Sequence, residues 1–279
     1  MSNLEIKIVF RETIRPSSPT PHHLKSFRIC SLDQASPVRY TPMILFYPAA
    51  PGGRHPPPQL KLSLSETLTK FYPLAGRIKD NFTIDCNDEG IPYIEAKVQL
   101  SMLDFLRDPR IDLLGYFLPR EDTCPEPITE LAQLCVQVTS FDCGGIAIGV
   151  CFFHKIMDGA SIGTFLKSWA AAGSGLRADI EHEDVLFPDL TAASSLYPSK
   201  DELASYVSSI RPELVNDLLK RFVFEASAVS TLKARATSEL VPNPTRVEAI
   251  SAFIWKHVAR AFEKAIPVDE TPASLFTHG

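Results

Sequence analysis

The chain has 279 residues, 45% of them hydrophobic and 22% charged, with a formal net charge of −5. That balance excludes a disordered polymer, and the length accommodates one large domain or two smaller ones. No apolar run reaches the roughly eighteen residues of a membrane helix, the start Met1-Ser2-Asn3-Leu4-Glu5 has no signal-peptide character, and scattered Lys and Arg offer no basic face to nucleic acid, so a cytoplasmic protein without membrane or nucleic-acid partners is expected.

In chain order, Ile6 to Phe10 reads as a strand, followed by a proline cluster from Pro16 to Pro21. Thr41 to Tyr47 reads as a buried strand, and Pro48 to Pro58 as a surface loop. Leu60, Leu64, Leu68 and Phe71 recur at helical spacing and predict an amphipathic helix that stops at Tyr72-Pro73. Phe82 to Cys86 and Pro92 to Ala96 read as a hairpin across Asn87-Asp88-Glu89-Gly90. Gln133 to Phe141 and Ile146 to Phe153 read as a second hairpin, whose latter strand is apolar throughout and so belongs at the centre of a sheet covered on both faces. Ile162, Phe165, Leu166 and Trp169 mark one face of a helix ending near Gly173.

Beyond it the composition turns to mixed Ser, Pro, Asp and Glu with no sustained period, which suggests a crossover over 174–212 between a lobe at 1–173 and a second starting at 213. A strand is expected at Arg221 to Phe224. Thr245-Arg246-Val247-Glu248 is a capping box opening a helix that carries Val247, Ile250, Ile254, Val258 and Phe262. The six cysteines include no C-x-x-C pair and read as buried free thiols.

The segment with most chemical promise is His154-Lys155-Ile156-Met157-Asp158-Gly159, which puts an imidazole where a buried strand ends and a helix is about to begin. Such a junction opens onto a cleft while its backbone stays rigid. A satisfied buried histidine is the bland alternative. Gly159-Ala160-Ser161-Ile162-Gly163 also fits the G-x-S-x-G elbow of serine hydrolases. That elbow needs its serine directly after a strand, and residues 154–158 intervene, so a first-turn helical Ser161 is the preferred reading. Lys233, Arg235 and Arg246 are candidates for phosphate contacts, and free amides at the Thr245 helix start would add an anion site.

Several pieces together carry a resemblance: Pro16-Ser17-Ser18-Pro19-Thr20-Pro21, Leu45-Phe46-Tyr47-Pro48, Phe71-Tyr72-Pro73-Leu74-Ala75-Gly76-Arg77, Asp85-Cys86-Asn87-Asp88, His154 to Gly159, and Ser251-Ala252-Phe253-Ile254-Trp255-Lys256. In this order they resemble the first 60% or so of the BAHD acyl-CoA-dependent acyltransferases of plants, and among those the alkaloid acetyltransferases. The resemblance implies an α/β, chloramphenicol-acetyltransferase-like fold of two lobes, with the second incomplete in this chain. It implies acyl-CoA, acetyl-CoA by preference, as co-substrate with no permanently bound cofactor and no metal. The other partner would be a small alkaloid- or terpenoid-like alcohol, and the full-length protein would be a monomer.

By the same resemblance His154 is the general base. Asp158 and Gly159 are structural, the aspartate holding its loop through an arginine that would lie past Gly279. Thr41, Met43 and Leu45 border the acceptor and acyl pocket, and Thr245, Arg246 and Ser251 the CoA site. The family's Asp-Phe-Gly-Trp-Gly segment is absent, so the 279 residues by themselves are expected to bind CoA poorly and to transfer no acyl group. A non-catalytic remnant and a hydrolase using Ser161 are the alternatives.

Overall fold

The computed structural model describes residues 5–36, 38–49, 59–119, 128–174, 188–203 and 220–265. The strands in chain order are β1 (Ile6–Ile14), β2 (Ser26–Arg28), β3 (Tyr40–Tyr47), β4 (Arg77–Ile78), β5 (Thr83–Asp85), β6 (Ile91–Val98), β7 (Leu134–Phe141) and β8 (Ile146–Phe153). The helices are α1 (Ser31–Ala35), α2 (Gln59–Lys70), α3 (Met102–Arg107), α4 (Ile111–Leu114), α5 (Gly159–Ser174), α6 (Ala192–Leu196), α7 (Ala226–Ala236) and α8 (Arg246–Ala265). By contacts the chain divides into Met1–Asp217 and Leu218–Gly279.

A five-stranded sheet in the order β1-β6-β7-β8-β3 organises the first unit, with β6 and β7 parallel and the other neighbours antiparallel. β7 and β8 form the expected hairpin, and β8, between β7 and β3, is buried at every position but Cys151. Its Gly149 is a packing requirement: a Cβ there would stand 1.9 Å from the Phe117 carbonyl oxygen. On one face α2 and α5 cover the sheet, with Leu64, Leu68, Val150, Phe152, Phe165 and Trp169 in one cluster. On the other, Met102, Phe105 and Phe117 pack against Val98, Phe141 and Ala147. Each such buried side chain contributes about 1.5–3 kcal/mol of transfer free energy, so β8 is rigid because both its faces are spent on the core.

Two expectations at this level need correction. Thr41 to Tyr47 does form a strand, but β3 is the sheet's edge and is half-buried, with Pro42 exposed. Proline suits an edge because it withholds a ladder donor. The first expected hairpin does not exist: β5 pairs with β2 and β4 in a three-stranded sheet, whereas β6 pairs with β1 and β7. The turn between them is fastened elsewhere. Asp88, at φ 59°, accepts from the Thr20 amide (3.0 Å), the Thr20 hydroxyl (2.6 Å) and Lys25 Nζ (2.6 Å), which ties the turn to the N-terminal segment. Gly90, at φ 85°, passes so close to Ile14 that a Cβ would lie 2.4 Å from its carbonyl oxygen.

Within the expected crossover, the described residues 188–203 belong to the first unit and bond to its α1: Ser31 donates its amide to Tyr197 O (2.9 Å), and Lys200 donates its amide to Gln34 Oε1 (2.7 Å). In the second unit Arg221 to Phe224 is not a strand, and Phe222 and Val223 are exposed. Three or four apolar residues make a strand only against a partner ladder, and among the described residues none pairs with them. Five of the cysteines are described and are thiols: Cys30, Cys86 and Cys135 are buried, Cys151 is half-buried and Cys143 exposed. Cys124 lies outside the described residues.

Candidate functional site

His154 follows the last residue of β8. Its amide donates to Arg39 O at 2.8 Å, one step past the Tyr40–Phe153 pair, so the β3–β8 ladder continues into the loop. The chain then turns, with Ile156 donating its amide to Phe153 O at 3.2 Å. The His154 side chain is half-buried, and its Nδ1 is buried without a hydrogen-bond partner among the described residues. No hydrogen bond to that nitrogen therefore fixes the imidazole among the described residues.

Asp158 ends the loop as the cap of α5. Its Oδ1 accepts the Ser161 amide at 2.7 Å, and its carbonyl accepts the Ile162 amide at 2.9 Å. The hydrogen bonds from Ser161 hold the Asp158 carboxyl below the usual carboxylate range against the opposing pull of partial burial. Among the described residues Asp158 is exposed, makes no ion pair and caps a helix, a structural role additional to the arginine pairing expected of it. Ser161 is a first-turn residue of α5 whose amide donates to the Asp158 carboxylate, a helix-start position and not the tip of a turn directly after a strand. Gly159 opens α5, and a Cβ there would meet nothing within 4 Å, so no neighbour among the described residues demands glycine.

Thr41, Met43 and Leu45 alternate along β3 opposite Phe152, Val150 and Ile148. Thr41 is thus two strand positions from the level of His154, whereas Leu45 is six, or about 20 Å at ~3.4 Å per residue. Met43 packs on the cluster under α5. Leu45 lines an apolar cavity of about 430 Å³ with Tyr47, Leu60, Ile148, Leu166 and Trp169. The structure places Thr41 beside the histidine end of the sheet and Leu45 at the far end.

Thr245, Arg246 and Ser251 belong to the second unit. The capping box is formed: the Thr245 amide donates to Glu248 Oε2 at 2.6 Å, and the Glu248 amide to Thr245 Oγ1 at 3.2 Å. Two donors that would make an anion site are therefore taken, one of them by a carboxylate. Arg246 is exposed and Ser251 half-buried on α8, while Lys233 and Arg235 occupy the last turn of α7. Among the described residues no group of His, Cys, Asp and Glu is arranged to hold a metal ion, and no helix is long and apolar enough to cross a membrane.

A sequence model of the Transferase family matches residues 4–272. The chain belongs to that family, the BAHD acyltransferases. Among its relatives in this family, akuammiline synthase 2 of Alstonia scholaris is 43% identical over 283 residues, covering 99% of this chain and 61% of its own length. The (13S,14R)-1,13-dihydroxy-N-methylcanadine 13-O-acetyltransferase AT1 of Papaver somniferum is 40% identical, over 94% of this chain and 59% of its own. The crystal structure of vinorine synthase superposes with a TM-score of 0.76 at 36% identity, covering 94% of this chain and 62% of that one. The fold is thus the mixed α/β fold of this family, and the chain spans about three fifths of the length of these relatives.

In the loop that follows β8, the residue overlooked in the sequence is Lys155. It is 1% exposed, with Nζ facing the carbonyl oxygens of Asp33 (3.4 Å) and Gln34 (3.3 Å). The signal was available: a lysine two residues past an apolar strand, before Ile156 and Met157, has little room to be solvated.

Proposed function

We propose that the protein is an acyl-CoA-dependent O-acyltransferase that moves an acyl group, acetyl by preference, onto a hydroxyl of an alkaloid- or terpenoid-like alcohol, with His154 as general base. The observation that carries this reading is His154 itself. His154 stands at the end of β8, a strand buried at every position but Cys151, on a loop fixed by backbone bonds, in a chain of an acyltransferase family. An alcohol is a weak nucleophile until its proton is removed. A neutral imidazole within hydrogen-bond reach supplies roughly 10²–10⁴-fold by taking that proton as the thioester carbonyl is attacked, and the imidazolium then protonates the departing CoA thiolate. Asp158 and Gly159 form the end of the loop, and Asp158 serves by starting α5.

One relative is the 13-O-acetyltransferase of a dihydroxy-N-methylcanadine, which favours acetyl transfer and an alkaloid-like acceptor. In this proposal Thr41 borders the reacting hydroxyl, Met43 and Leu45 line the channel leading away from it, and Arg246, with Thr245 and Ser251, contacts CoA. The lobe boundaries at 1–173, 174–212 and 213–279, a monomeric state and a cytoplasmic location belong to the same proposal. The test is incubation of full-length protein with acetyl-CoA and a panel of alkaloid and terpenoid alcohols, following CoA release by thiol titration and product by mass spectrometry. Acetylated product that disappears in His154→Ala is expected. CoA release equal in wild type and His154→Ala would refute the base assignment.

A further inference from the structure

We propose that Lys155 is a positioning residue for His154, an internal clamp that fixes the loop carrying the base against α1 and the segment that follows it. This rests on the reading of His154 as the base. A lysine ammonium is among the groups least often buried, because stripping its water costs more than ordinary contacts return. Here burial pushes the ammonium down to about 8, with the Asp33 charge opposing that shift. The site is nonetheless built for a donor: Asp33 and Gln34 turn their carbonyl oxygens toward Nζ from the C-terminal half of α1. Gln34 is itself fully buried and is held by the Lys200 amide on its Oε1.

The clamp acts at two adjacent residues. His154 is tied through its amide to Arg39 O, and Lys155 through its side chain to residues 33 and 34, so the loop is pinned to both ends of the stretch from α1 to β3. Two anchors with different lever arms fix orientation as well as position. His154 Nδ1 has no partner of its own among the described residues, so the imidazole depends on its backbone for placement. A hydrophobic residue would fill the Lys155 site without the cost of desolvation and would lose only the anchoring.

The test replaces Lys155 by Met, which keeps the stem and removes the donor, with Lys155→Arg and His154→Ala made in parallel. In Lys155→Met the melting temperature should stay near that of wild type, since a buried charge is lost together with its bonds. Hydrogen exchange of the His154 and Ile156 amides should accelerate while that of Val138 and Val150 does not change. In full-length protein kcat should fall roughly ten- to a hundredfold, as expected for a misplaced catalytic group, with KM for acyl-CoA unchanged. Lys155→Arg, which keeps a cation with donors, should restore most of kcat. Unchanged loop exchange overturns the clamp. Loop exchange that rises with kcat unchanged, in a protein that His154→Ala inactivates, overturns the positioning role, as does an Arg variant that folds but stays as slow as Met. If melting temperature, KM and kcat fall together with exchange raised across the sheet, Lys155 merely supports the fold and the proposal fails. Turnover retained by His154→Ala removes the base reading, and this role with it, while the exchange data still decide whether the clamp exists.

Discussion

Replacing Asp158 distinguishes two structural roles that differ in size and in rank order. In a buried ion pair, removing the charge by Asn or by Ala would strand a buried partner and cost about 3–5 kcal/mol in either variant. The geometry gives a smaller effect. Asp158 is exposed, and its Oδ1 accepts the Ser161 amide at 2.7 Å as the cap of the 16-residue helix α5. Losing an N-cap oxygen costs about 0.5–2 kcal/mol, and Asn caps nearly as well as Asp. The negative charge at the helix start adds about 0.3–1 kcal/mol, which only Asp supplies. The expected order is therefore wild type, then Asn, then Ala, with Ala melting about 2–12 °C lower at ~2–4 °C per kcal/mol for a domain of this size. The pH dependence has a definite sign. Because the folded carboxyl lies below its ordinary value of 3.8, the charge contribution is present above that value and is lost as pH falls through the lower folded one. The gap between wild type and Asn should thus be open at pH 7 and narrow toward pH 3. Thermal melts followed by near-ultraviolet circular dichroism read all of this. Equal losses in Asn and Ala, or an Ala variant melting with wild type, would refute the cap.

Three further outcomes follow from the same structure. In full-length protein, His154→Ala should lower kcat by about a hundredfold or more with acyl-CoA binding little changed, because only proton transfer is lost, as steady-state kinetics with calorimetric CoA titration can check. Phe165→Ala should destabilise the fold by about 3–5 kcal/mol in urea titration, since this fully buried ring stands edge-on to both Phe71 and Phe152. Native protein treated with iodoacetamide at pH 8 should label Cys143, which is exposed, and spare Cys86, whose thiol burial pushes up to about 12; peptide mapping of the labelled protein decides it.

What was legible in the sequence was what local pattern determines. The unbroken apolar run of β8 announced a doubly covered strand, and the spacing of Ile162, Phe165 and Trp169 announced the buried face of α5. His154 stood out because it falls between those two signals. The missing first hairpin shows where local pattern stops. Two strands flanking a turn sequence look like a hairpin, yet Asp88 bonds Thr20 and Lys25, more than sixty residues away, and β5 and β6 pair in different sheets. Long-range pairing of that kind leaves no periodicity to read. The same holds for Lys155: its carbonyl partners on α1 lie some 120 residues earlier in the chain.

The CoA candidates show a different limit, in which two correct local readings compete. Thr245 and Glu248 read as a capping box, and the same helix start reads as an anion site through its free amides. Both draw on one set of donors. In the structure the box closes, and the Glu248 carboxylate lies 2.6 Å from the Thr245 amide, where an incoming phosphate would seek its own bond. A phosphate at that point would meet a like charge at short range, which costs more than the remaining amides return unless the carboxylate moves away. Arg246 is free of that conflict because its guanidinium is exposed and its charge is the right sign. Of the residues proposed for CoA, the physical case therefore rests on the side chain of Arg246, and the helix terminus beside it works against the ligand for as long as the box stays closed.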